Sequence, residues 1–371
     1  MSFSRRSTAA RVLCVALMAM LVGALAAACG DDETATPAPS STQAAELTGK
    51  LTVFAYEDGL VPEAIGGFED ANPGLKVEKA AFSTNDEAVA KMRAGFSPDI
   101  VNVCVEETTR MVDLGLLQPL DTSRITDWSS IVPALQTIDG VVIDGQVYMV
   151  PTTGGTAGIV YNPKKVPQGI PSWKALFEDS SLKGRITLED SAATVIPIAA
   201  LALGYEDPFH LTDEDLDRIE EYLLAHKSQV RAFFSGDADF LNLYKTGEID
   251  AGFAWHDYKV TAERNGVPAE YVVPEEGQLA WVCGYGIAAD TKNLDAAYAA
   301  LNWYNSPEPQ AFYAEDYTYW VFNEKTLEIL PQEVIDSIGL DEPEKLQQAI
   351  PLVIPENYDR WLRVFQKLKG A

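Results

Sequence analysis

Two periods of hydrophobic and polar positions alternate along the chain. Residues 51–56 (Leu-Thr-Val-Phe-Ala-Tyr) predict a strand, and 75–79 alternate as a second. Residues 99–105 are almost wholly apolar, the pattern of a strand buried on both faces. Between these runs, 64–70, 85–94 and 108–114 read as helices, halted at Asn72-Pro73-Gly74 and at Gly115. The second half continues with strands at 159–161, 185–188 and 251–255. Its clearest helix is 212–227, where Thr212 caps with Asp215 three residues on, and Leu216, Ile219 and Leu223 share a face. A further helix at 295–304 ends at Asn305-Ser306-Pro307. Alternating strands and helices predict an α/β fold. Ligands in such folds bind beyond the carboxyl ends of the strands, which here are 56–58, 104–107 and 255–257.

The first segment stands outside this pattern. Arg5, Arg6 and Arg11 precede an apolar run over 12–28, which ends in Ala26-Ala27-Ala28-Cys29. A basic start, a short apolar run and small residues read as a secretory signal, too short for a comfortable membrane span. It resembles a bacterial lipoprotein leader, in which Cys29 would receive lipid and tether the protein to a membrane. Ala26 departs from the leucine usual in that motif. Residues 31–46 are rich in Asp, Thr, Ala, Pro and Ser and have no apolar period, so they read as a flexible tether spanning roughly 20–25 Å.

Charge narrows the partners. The chain has 371 residues, 28 Lys+Arg and 55 Asp+Glu, for a formal net charge of −27. Loss of residues 1–28 removes three Arg and no acid, leaving −30. So acidic a surface excludes nucleic acid and disfavours an anionic membrane face, while it attracts small cations. The three histidines are scattered and no CxxC is present, so no zinc site is expected and no cofactor is assigned. No Gly-x-Ser-x-Gly, His-Glu-x-x-His or Gly-x-Gly-x-x-Gly pattern appears. A binder, not an enzyme, is therefore expected.

Six pieces in order carry a family resemblance: Phe54 with Val61-Pro62; Ser83-Thr84-Asn85 with Ala90-Lys91-Met92; Pro98-Asp99-Ile100-Val101 with Gly115-Leu116-Leu117; Tyr148-Met149-Val150-Pro151 with Gly158 and Asn162; Pro171-Ser172-Trp173 with Leu182-Lys183-Gly184; and Lys292-Asn293 with Asn302-Trp303. Residues 50–371 thereby resemble the extracytoplasmic solute-binding proteins of ABC importers, most closely the spermidine/putrescine-binding branch. The resemblance implies a two-lobed α/β fold joined by a hinge, with the ligand in the cleft. It implies one lobe from 48–153 plus 279–326 and another from 154–278 plus 327–371, after a signal at 1–28 and a tether at 29–47. The chain should cross between lobes near 152–155, where glycines suit a bend, near 277–278, and around 324–328. The implied partners are a small cationic solute and an ABC permease, and the protein is expected to act as a lipid-anchored, extracytoplasmic monomer.

The family's cleft positions carry over unevenly. Trp255 and Trp281 fall where the family stacks tryptophans on its ligand, each expected at a strand end, and Tyr319 matches a cleft tyrosine. Glu57 and Leu60 stand where a Trp and a Tyr are expected, with Tyr56 and Asp58 beside them. Cys104 replaces a serine, Glu106 a tyrosine, and Cys283 an acid. Two further acids of the other lobe fall on Ser191 and Thr194, with Glu189 and Asp190 adjacent but facing differently along a strand. Glu57, Asp58, Glu106 and Asp257 are the carboxylates that would rebuild a cation site. Cys104 and Cys283 fall on one lobe near the cleft, where they would either pair or remain free thiols. The other readings are a ferric site drawing on Tyr317 and Tyr319, a sugar or amino-acid-like ligand on the same scaffold, and a sensor lipoprotein.

Overall fold

The structure, a computed structural model, describes residues 46–341 and 349–371. The leader, Cys29 and most of the tether lie outside the described residues. The first half builds β1 (Gly49–Ala55), α1 (Pro62–Ala71), β2 (Leu75–Ala81), α2 (Asn85–Arg93), β3 (Ile100–Cys104) and α3 (Val105–Asp113). β1 pairs in parallel with β2 and β3. Thr84 caps α2 by accepting from the Glu87 N–H. α3 begins at Val105, three residues before its predicted start. Its first turn carries Glu106 and Glu107, which the positive helix end favours, and the Thr108 hydroxyl donates to the Cys104 carbonyl at 3.0 Å.

Two strands longer than the sequence pattern predicts organise the rest. Val150–Tyr161 and Leu279–Ala288 run antiparallel to each other at the centre of one sheet. On one flank Leu279–Ala288 pairs with β3. On the other, Val150–Tyr161 pairs with Ala251–Trp255, which continues to Ile186–Glu189 and Val230–Phe234. Val150 and Val282 pack in one hydrophobic core with Phe54, Ile65, Tyr304 and Phe322. Ile159 and Leu279 pack in a second with Trp173, Ile219, Phe253 and Trp361. Each long strand therefore starts in one core and ends in the other, which makes the fold two-lobed. The predicted capping box forms at Thr212 and Asp215, at the start of helix Asp213–Ala225. Among the described residues no helix is long and apolar enough to cross a membrane.

Two expectations about the crossings change. Leu330, Ile335, Ile338 and Leu340 pack in the first core, whereas Ile350 packs against the second. The chain is thus still in the first lobe at Leu340 and in the second at Ile350, so the third crossing is not at 324–328, where Thr326 is buried. Gly154 and Gly155 do not bend the chain, since both lie within a continuous strand. They make room instead. A Cβ on Gly155 would meet the Trp281 indole Nε1 at 2.5 Å, and one on Gly154 would strike the Phe322 ring. Gly277, at a φ of +112°, does occupy the left-handed region that favours glycine.

This geometry makes Gly155→Ala costly. It should destabilise the protein by about 1–3 kcal/mol, read as a lower urea midpoint with unchanged slope. An unchanged midpoint would mean that the Trp281 indole moves freely.

Candidate ligand-binding site

A cavity of about 470 Å³ opens between the cores, at the ends of β1 and β3 and alongside the two long strands. Strand alternation builds much of its wall. Trp281, Cys283 and Tyr285 lie two apart on Leu279–Ala288, and Asn102 and Cys104 two apart on β3. Trp255, the last residue of its strand, enters from the second lobe, with Leu352 beside it on the segment after the third crossing. Tyr56, Tyr313 and Tyr319 enter from the first lobe.

The aromatic groups hold one another in place. Trp281 and Tyr319 meet edge-to-face, centroids 4.9 Å apart, and Tyr319 stacks on Tyr313 at 6.2 Å. Trp281 is the third residue of its strand rather than the last, and it reaches the cavity by facing rather than by termination. The Trp255 Nε1–H donates to Glu189 Oε1 at 3.0 Å. Glu189 is thus engaged behind the ring and does not line the cavity, while Asp190 is ion-paired with Lys369.

Among the described residues two carboxyls line the cavity, Asp58 and Glu106, and no basic residue does. Glu106 Oε1 accepts from Asn85 Nδ2 at 3.3 Å, and Asn85 Oδ1 accepts from the Tyr56 hydroxyl at 2.9 Å. Glu106 Oε2 is enclosed and has no hydrogen-bond partner among the described residues. Burial pushes the Glu106 carboxyl up to about 7 and also raises Asp58, which the Gly59 N–H partly opposes. Burial and the nearby Glu106 and Asp58 charges raise the Tyr56 phenol, so it remains a donor at neutral pH. A carboxyl held near neutrality by desolvation ionises readily when a cation arrives.

The other candidate residues sit elsewhere. Glu57 is exposed and does not line the cavity. Asp257 opens the helix His256–Arg264 outside the cavity lining, and burial raises it to about 7. Tyr317 lies beside Tyr319, 5.3 Å between centroids, but does not line the cavity. Cys104 and Cys283 are joined as a disulfide in the wall. No cluster of three His, Cys, Asp or Glu capable of holding a metal occurs among the described residues. Sequence reasoning passed over Asn102 and Tyr285, although both keep period two with chosen neighbours. Thr152, Thr153, Tyr313 and Leu352 carry no such signal, because tertiary contacts alone bring them to the wall.

Residues 63–337 match the family of bacterial extracellular solute-binding proteins. The chain belongs to that family. The putrescine-binding periplasmic protein PotF of Escherichia coli is 25% identical over 310 residues, covering 79% of this chain and 83% of PotF. A spermidine/putrescine-binding periplasmic protein of Salmonella typhimurium is 27% identical over 271 residues, 72% of this chain and 76% of its own length. The fold matches the substrate-binding protein PotD of Streptococcus pneumoniae with a TM-score of 0.76 at 24% identity, over 87% of this chain and 99% of that one. It also matches the Atu4243-GABA receptor with a TM-score of 0.71 at 22% identity, over 86% and 97%.

The Glu106 environment predicts a pH effect on the ligand-free protein. Between about 4.5 and 7 the folded form keeps a proton that the unfolded chain has already released, so stability falls as pH rises through that window. Glu106→Gln should raise the ligand-free melting temperature at pH 8 and flatten its profile across the window. A lower melting temperature at pH 8 in this variant would show that the carboxylate is well paired after all.

Proposed function

We propose that this solute-binding protein captures a small organic cation of the polyamine class by closing its lobes, then delivers it to an ABC permease. The observation that carries the reading is a cavity lined, among the described residues, by two carboxyls, one with an unpartnered oxygen, and by no basic residue. An ammonium would supply the missing partner to Glu106 and Asp58 through charge-assisted hydrogen bonds. Trp281, Tyr319 and Trp255 would face the charge and the methylene chain, each cation–aromatic contact contributing about 0.5–2 kcal/mol. The relatives named for putrescine and spermidine support the same class. The two long strands joining the lobes support closure as the means of capture, since a ligand touching both lobes favours the closed state.

The charge set of this site differs from the one the resemblance implies. Both lining acids belong to the first lobe, and the second contributes a Trp and a Leu. Glu57 and Asp257 have no direct role here. Asp257 acts at a distance by opposing ionisation of Tyr319, after burial and Asp58. Processing before Cys29 and lipidation of its thiol would hold the protein outside the cell membrane as a monomer, with the acidic tether as spacer.

Thermal unfolding of residues 47–371 against putrescine, spermidine, quaternary amines, amino acids, sugars and ferric citrate tests the reading. A ligand at 100 times its dissociation constant adds roughly 2.7 kcal/mol, a shift of several degrees. Amines should give the largest shift, and Trp281→Ala should weaken the binding amine about tenfold. A shift with sugars or amino acids and none with amines would refute the cation reading.

A further inference from the structure

The cavity wall contains a sulfur bridge that plays no part in neutralising a cation. Cys104 and Cys283 face each other in register across β3 and the second long strand, with Cα atoms 3.9 Å apart. Both line the cavity. The two strands already pair over five positions, from Cys104–Cys283 to Ile100–Ile287, so the sheet closes without the bond. What the bond adds lies at its ends. Cys104 terminates β3 and immediately precedes α3, whose first turn presents Glu106 to the cavity. Cys283 stands where the second long strand shifts register against the first, between Cys283 and Gly284. The bridge therefore ties the carboxylate wall to the strand pair that connects the lobes, at the point where that pair is least regular.

We propose that the Cys104–Cys283 disulfide is a redox-controlled element of the ligand site. Oxidised, it fixes the first turn of α3, and so Glu106, against the interlobe strands. Reduced, that turn loosens and cation affinity falls. The affinity arm rests on the cation-binding reading, whereas the structural arm does not. Reduction proceeds by two exchanges with a small dithiol. One reagent thiolate attacks a protein sulfur and releases the other as a thiolate. The second reagent thiolate then closes on the mixed disulfide. The reagent leaves as a cyclic disulfide, and the protein gains two electrons and two protons as two thiols. Linkage adds a reciprocal consequence. Whatever factor reduction removes from ligand affinity, bound ligand adds to the stability of the oxidised form.

The test uses the exported chain without its leader, oxidised or treated with dithiothreitol, and a Cys104→Ser/Cys283→Ser double variant. Thiol titration of the untreated protein should find no reactive thiol. Hydrogen exchange without ligand should speed up on reduction at 105–109 and 282–285 and stay unchanged in the second core. Spermidine and putrescine should bind the oxidised form about tenfold more tightly than the reduced form. Either amine should also slow reduction by dithiothreitol. Two free thiols before treatment, unchanged exchange at α3, or equal amine affinity in both forms would each overturn the proposal. Faster exchange at α3 with no amine bound by either form would overturn the cation reading and restrict the switch to the wall itself. Should the double variant fail to fold, the dithiothreitol titration of the native chain decides alone.

Discussion

The antiparallel pairing of Val150–Tyr161 with Leu279–Ala288 is the constraint on which the rest of the structure depends. Each strand is anchored by apolar side chains in one core at one end and in the other core at the opposite end. A strand pair holds its backbone hydrogen bonds through a modest twist, so it can join two bodies without fixing the angle between them. The cavity lies directly along this pair, and five of its lining positions, Thr152, Thr153, Trp281, Cys283 and Tyr285, belong to it. Any movement of one lobe against the other is therefore felt in the wall where a ligand would sit.

The chemistry of the wall is one of deliberate incompleteness. Asp58 and Glu106 face a cavity that no basic side chain lines among the described residues, and desolvation holds both toward the neutral form. Buried carboxyls left this way cost stability in the empty protein, and that cost falls away when a cation enters. Asn85, itself held by the Tyr56 hydroxyl, donates to one Glu106 oxygen and leaves the other open. Glu189 plays the opposite part. It is satisfied by the Trp255 indole, so it orients a ring and offers nothing to a ligand.

Much of the first lobe was legible in the sequence because its elements are amphipathic and bounded by clear stops, as at Asn72-Pro73-Gly74. Helix Asp213–Ala225 was legible for the same reason and because Thr212 and Asp215 spell its start. Helix Ala192–Ala202 was not. It is buried on nearly every side and apolar all round, so it shows no helical period, and it contains Pro197. The site divides along the same line. Trp281, Cys283 and Tyr285 share a strand face that period two reveals. Leu352 lies beyond the third crossing, and only the docking of the chain's last segment brings it to the cavity. Glu57 and Asp58 are adjacent in sequence, and the choice between them depends on a short 3₁₀ turn that local pattern does not encode.

The interleaving of the two lobes also bears on how the chain is made. The first core closes only when Tyr304 and Phe322 join residues contributed some 250 positions earlier. The second is incomplete until Trp361, Val364, Phe365 and Leu368, on helix Tyr358–Gly370, dock onto it. Neither lobe can finish folding while its last strands or helices are still inside the ribosome, although domains usually fold as they emerge. A nascent chain of this design stays open until these late segments have emerged. That order suits a protein of an extracellular family, whose polypeptide must thread a membrane before it takes its final shape.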